Sequence, residues 1–226
     1  MSHLEPVAED IWTAAAPLSL VGLRIGTRMT VIRLSGGGVA LHSPVPADLE
    51  MVAEINALGP VRHIICPNSF HHLYAGDAQR LWPDALLHGP AALQRKRRDL
   101  HFQVTLDEHL HPELAADLDA VSIDGSLLNE TVLYHRASRT LISADLVENF
   151  HHCKHAPTRL YLRLNGALGL VTWPRLMRPL YYRRGLARAS VDRILAWPFE
   201  RAVIAHGEII REQAREAVRT GMAWLR

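Results

Sequence analysis

Cysteine is nearly absent from this chain. Two occur in 226 residues, Cys66 and Cys153, far apart in sequence. That excludes a disulfide scaffold and a cysteine-based zinc ribbon. Cys66 closes an apolar run and reads as a buried thiol. Long apolar runs are missing too. No uncharged stretch reaches the roughly 18 residues of a membrane span, so none is expected. The opening "MSHLEPVAEDIW" lacks the charged-then-apolar order of a secretion signal, and the expectation is a cytoplasmic location. Nor does charge of one sign dominate. Lys and Arg number 25 against 23 Asp and Glu, a net charge of +2, so the overall charge does not call for nucleic acid. There is no internal repeat and no low-complexity segment.

What is abundant is histidine, with 14 copies. Histidine is the commonest metal ligand and the side chain best suited to proton transfer near neutral pH. Apolar residues make up 48% and charged residues 21%, as in ordinary globular proteins. The length suits one large domain with a substantial core.

The pattern of elements is mixed. "DIWTAAAPLS" (10–19) and "RMTVIRLSGGGVALHSPV" (28–45) alternate as strands around Gly36, Gly37 and Gly38, a tight hairpin turn. "ADLEMVAEINALG" (47–59) has helical spacing and is stopped by Gly59 and Pro60. "VRHIIC" (61–66) follows as a strand, "AGDAQRLWP" as a short helix, "ALLHG" (85–89) as a strand and "AALQRKRRDL" (91–100) as a basic helix. That order implies crossovers and parallel pairing. Strands recur at 118–125, 130–135, 140–147 and 201–207, and 208–225 reads as an amphipathic helix. Two β-rich halves, each ending in helices, predict an α/β sandwich around one core. Residues 155–193 stand apart, with eight arginines and a single acid, Asp192. We read them as irregular helices within an insertion at 151–195 of a single domain spanning 1–226. It reads either as a solvated basic helical face or as a cover over a site that attracts an anionic substrate.

Three features carry potential chemistry: His71-His72 in "PNSFHHLYAGD", Asp145 ending "TLISAD", and His206 ending "RAVIAHG". Each follows an apolar, β-branched run. Strand ends are where α/β folds hold reactive groups on a rigid support. Imidazoles and a carboxylate meeting at one edge would suit zinc, iron or manganese.

In these segments, together with "IWTAAAP", "TVIRLSGGGVALHSPVP", "SRTLISADLVENF" and "VIAHGEII", the chain resembles the metallo-β-lactamase superfamily, and within it a bacterial branch known only as metallo-β-lactamase-like. The resemblance covers most of the chain. It implies a four-layer αββα sandwich with the site at one edge between the sheets. The family's first motif is H-x-H-x-D-H. Aligned on His72, it places His71 at the family's aspartate, and Ser69 and Pro67 at its first two histidines. The turn holding the family's middle histidine aligns with "SIDGS" (122–126), which has none. An early family aspartate falls near Ser43. The resemblance thus implies that the first metal position is lost and that a second survives as His71, His72, Asp145 and His206.

The expected activity is that of a single-metal hydrolase. It would bind one divalent metal, zinc first and iron or manganese next, with Asp145 also orienting water. Its substrate would be a small anionic ester, thioester or related molecule. The alternatives are a metal-free relative that binds a ligand or partner and, third, a non-haem iron redox protein. A nuclease ranks below these, because the arginines form no base-reading motif. His88, His151, His152 and His155 are further histidines that could approach the site.

Overall fold

The computed structural model describes residues 3–225. The chain opens with β1 (Glu5–Ala8) and β2 (Ile11–Ala16). A small hairpin follows, β3 (Ser19–Leu20) and β4 (Leu23–Arg24), then β5 (Thr27–Arg33) and β6 (Val39–His42). Helix α1 (Leu49–Leu58) starts at Asp48, whose side chain accepts the Met51 amide. It ends at Gly59, where φ is +145° and a Cβ would meet Gly37 O at 2.4 Å. Only glycine fits that close approach. Next come β7 (Val61–Ile65), α2 (Ala75–Leu81), β8 (Leu86–Gly89), α3 (Ala91–Lys96), β9 (Val104–Thr105) and α4 (Pro112–Ala115). The first sheet has the order β1-β2-β5-β6-β7-β8-β9, and its last four strands pair in parallel.

The second half holds β10 (Leu118–Ser122), β11 (Thr131–His135), β12 (Thr140–Ile142), β13 (Glu148–Asn149), α5 (Ala156–Leu164), β14 (Val171–Thr172), a 3-10 turn at Arg175–Leu180, α6 (Arg184–Ala196), β15 (Arg201–Val203) and α7 (Ala214–Gly221). Its sheet runs β10-β11-β12-β15, with β12 and β15 parallel.

Alternation along the strands makes four layers. Ile32, Ala40, Ile65, Leu133, Ile142 and Val203 face one another between the sheets. Val31, Leu41 and Ile64 turn the other way, onto Met51 and Ile55 of α1 and Ala78 of α2. Val132 and Leu141 turn onto Val191 and Ile194 of α6 and Val218 of α7. The result is an αββα sandwich. The 151–195 stretch therefore contributes α6 to this outer layer as well as the loop beside β14. No helix among the described residues is long and apolar enough to cross a membrane.

Several elements are shorter than their patterns predict, the strands expected at 118–125 and 201–207 among them, and three have a visible cause. The tail helix begins only at Ala214, because Ile210 exchanges two backbone hydrogen bonds with Ala202 and extends the second sheet. The basic helix stops at Lys96, and Arg97 beyond it pairs with Asp99. The strand expected at 140–147 ends at Ile142, because the amides of Ala144 and Asp145 leave the ladder for the Glu130 carboxylate.

Candidate metal centre

The C-terminal ends of β6 and β7 in one sheet and of β12 and β15 in the other open on the same edge. They deliver Ser43, His71, Asp145 and His206. His71 Nε2 lies 3.2 Å from His206 Nε2 and 3.3 Å from Asp145 Oδ2. His206 Nε2 lies 3.4 Å from Asp145 Oδ1. Metal–nitrogen bonds of about 2.0–2.1 Å at tetrahedral angles set neighbouring donors about 3.3–3.4 Å apart. The three separations are of that size, with Asp145 offering Oδ2 to His71 and Oδ1 to His206, and one ligand atom from each residue lies within 4.8 Å of the other two.

The remote ring nitrogens are held from behind. His206 Nδ1–H donates to Gly26 O at 2.8 Å, which leaves the Nε2 lone pair of the neutral ring pointing inward. His71 Nδ1 pairs with Ser43 Oγ at 2.7 Å. Ser43 itself sits at φ +56°, a left-handed conformation that costs energy outside glycine and clusters at functional sites. Outer partners of this kind set ring orientation and tautomer in metal sites. The donor set of two imidazoles and one carboxylate fits a divalent metal.

Local chain geometry explains the convergence. Asn68 Oδ1 accepts the amides of Phe70 and His71, at 2.8 and 2.9 Å, and this turn projects His71. The same side chain donates Nδ2–H to Asp145 Oδ2 at 2.8 Å. Glu130 is fully buried and accepts the amides of Ala144 and Asp145. Arg28 donates to Ile204 O and Gly207 O, on either side of His206.

Electrostatics follow from burial. Burial opposes ionisation of Asp145, yet His71 and His206 outweigh it and hold its carboxyl below the usual range. Burial, then the Asp145 charge, pushes the Glu130 carboxyl well above that range. His206 is opposed by burial but raised overall by its bond to Asp145. Burial pushes the Glu148 carboxyl up to about 7.

His72 does not join the group. Of the four residues expected to hold metal, His71, Asp145 and His206 meet, while His72 turns to Arg97, whose Nη1–H donates to its Nδ1 at 2.8 Å. Burial, then Lys96 and Arg97, lowers the His72 pKa to about 4. The other histidines are also elsewhere. His88 is buried against His63. His151 and His152 are exposed, and His155 bonds Thr158 beside α5.

A cavity of about 300 Å³ opens over the three donors. Leu18, Leu20, Ile25, Phe70, Trp173 and Met177 give it a largely apolar wall. None of the eight arginines of 155–193 lines it, and its one cationic side chain is Lys96. Residues 155–193 contribute Trp173 and Met177 instead, and seven of their eight arginines are exposed. Sequence reasoning missed Asn68, Glu130 and Glu148. Only the polar Asn68, closing a strand before a turn, left a local signal.

The architecture has structural counterparts. A metallo-β-lactamase from Pontibacter korlensis superposes with a TM-score of 0.67 over 98% of this chain and 97% of that one, at 13% identity. The chain has the metallo-β-lactamase fold. The FIM-1 metallo-β-lactamase of Pseudomonas aeruginosa in its mono-zinc form matches with a TM-score of 0.64 at 11% identity, covering 98% of this chain and 94% of that one. A metal-soaked Flv1 flavodiiron core from Synechocystis sp. PCC6803 gives 0.66 at 13% identity, over 98% of this chain but 60% of that one. Residues 8–92 also match the model of a domain of unknown function, DUF4336. That match includes the His71 turn and stops before Asp145 and His206. No curated protein sequence matches the chain.

Proposed function

We propose that this protein is a single-metal hydrolase acting on a small ester or thioester, with zinc held by His71, Asp145 and His206. The observation that carries the reading is the convergence of two imidazole Nε2 atoms and the two oxygens of one buried carboxylate, at 3.2, 3.3 and 3.4 Å. When bound, a divalent cation there supplies Lewis acidity toward water and a carbonyl oxygen. Asp145 fixes the geometry of both imidazoles. Glu148 lines the same cavity, and a carboxyl near 7 is poised to accept and return a proton. The apolar wall takes the acyl or alcohol portion of the substrate and excludes water from it. Lys96 offers the anionic contact, so a carboxylate or phosphate on the substrate would sit near the α3 end of the cavity rather than against the inserted arginines.

The test is elemental analysis of untagged protein joined to an ester and thioester panel. Turnover together with one zinc equivalent per chain, both removed by His206→Ala, supports the reading. Iron in place of zinc, with oxygen consumption, replaces it with redox chemistry.

A second reading is a metal-free binding protein. The same three groups can close on themselves with one shared proton, since Asp145 raises the pKa of His206. Absence of metal after reconstitution, with thermal stabilisation by an apolar carboxylate, would favour it.

A further inference from the structure

Four donor side chains outside the cavity form a second cluster. His63 lies in β7 and His88 in β8. His63 shares the face of Ile65, which packs between the sheets, and His88 alternates with Leu87, which faces the helices. Both imidazoles therefore point into the inter-sheet layer, where they are 0% and 1% exposed. Burying imidazoles there is costly unless their nitrogens are used.

They are used in a directed way. His63 Nδ1 pairs with His88 Nε2 at 3.0 Å. His63 Nε2 faces Glu113 Oε2 at 3.1 Å. Helix α4 also brings His111, whose ring centroid is 5.1 Å from that of His63. One donor atom from each of His63, His111 and Glu113 lies within 4.8 Å of the other two. An ordinary exposed Glu–His pair contributes little, and it would not need two further imidazoles packed against its histidine. A ligating histidine, by contrast, has its second nitrogen held by a partner, as His88 holds His63. The Glu113 side chain is 57% exposed, so solvent reaches the cluster and can complete a coordination shell.

We propose that His63, His111 and Glu113 form a second divalent-cation site, suited to zinc, that fastens α4 to β7 of the first sheet. Two imidazoles and a carboxylate suit zinc and reject hard cations such as magnesium. The site is independent of the His71–Asp145–His206 centre.

The test uses untagged full-length protein, stripped with chelator, reloaded with excess zinc and desalted. His111→Ala and Glu113→Gln alter a half-buried and an exposed side chain, and circular dichroism checks that each variant is folded. In the His206→Ala background about one zinc per chain should remain. It should fall to none in His206→Ala/His111→Ala and in His206→Ala/Glu113→Gln. Zinc should also raise the melting temperature of His206→Ala but not of either double variant. Retention of no zinc by His206→Ala overturns the proposal, as does retention insensitive to His111→Ala and Glu113→Gln. The difference between wild type and His206→Ala reads the first centre separately. A zero difference sinks that centre and leaves this one standing.

Discussion

Asn68 and Asp145 are joined across the two sheets by a hydrogen bond of 2.8 Å. Residue 68 follows β7 of the first sheet and residue 145 follows β12 of the second, so one amide sets the distance between the turn that carries His71 and the carboxylate that His71 meets. Replacing Asn68 with Ala removes that bond and the two backbone caps on Phe70 and His71. Zinc affinity should fall roughly 10–100-fold, the usual effect of losing an outer partner. Stability should fall by about 2–3 kcal/mol, because buried acceptors lose their donors. Zinc competition titration and urea unfolding measure the two effects, and unchanged zinc affinity would remove Asn68 from the site.

The last donor depends on a glycine. Gly207 follows His206 at φ +84°, and a Cβ there would stand 2.0 Å from Asn149 O. The backbone approaches this closely because Glu208 N–H donates to Asn149 O at 2.6 Å. Gly207→Ala should destabilise the chain by roughly 2–4 kcal/mol, the combined cost of positive φ and a steric clash. It should also displace His206 and lower zinc occupancy. A wild-type urea midpoint would show that the loop relaxes freely.

How much of this was legible beforehand depends on the range of the interaction. The hairpin at Gly36–Gly38, the helix stopped at Gly59 and the parallel β7 and β8 were written in local pattern, since alternation and breakers act within a few residues. So were the strand ends carrying His71, Asp145 and His206. The direction of His72 was not, because it depends on Arg97, 25 residues away, which holds its Nδ1. Glu130 looked like an ordinary strand residue. Its burial beneath Asp145 follows from packing across β11 and β12 and has no local signature. The inserted arginines drew attention by count, whereas the segment's contribution to the cavity is Trp173 and Met177.

Lys96 provides a test of charge selection. It is the cation lining an otherwise apolar cavity, held by donation to Ser69 O at 3.0 Å. Lys96→Met should raise KM about tenfold for an ester bearing a carboxylate and leave a neutral ester of the same size unchanged, since a charge-assisted hydrogen bond contributes about 1.5–3 kcal/mol. Equal effects on both substrates would assign Lys96 to packing over Phe70, whose ring lies 5.6 Å from its ammonium.

Glu148 separates binding from proton transfer. Glu148→Gln keeps its size and removes its titration. The expected outcome is a kcat lower by roughly 10²–10⁴-fold with zinc content unchanged. An unaltered kcat would take Glu148 out of the reaction.

Acid sensitivity should arise beneath the site rather than in it. His42 is 1% exposed, and its Nε2 has no hydrogen-bond partner among the described residues. Burial, then the neighbouring His71, lowers its pKa to about 3. Burial, then His63 and His111, lowers that of His88 to about 3 as well. In the unfolded chain both return to a histidine's usual value near 6.5. Between these values the unfolded state binds the extra protons, so stability is full above pH 6.5 and falls as pH drops toward 3. Each histidine contributes a slope of about 1.4 kcal/mol per pH unit in that window. Urea unfolding at pH 7 and pH 5 should therefore show a loss of several kcal/mol, and His42→Leu should recover about 2 kcal/mol of it. A loss of equal size in the variant would place the acid-sensitive groups elsewhere, beginning with the His71–Asp145–His206 cluster.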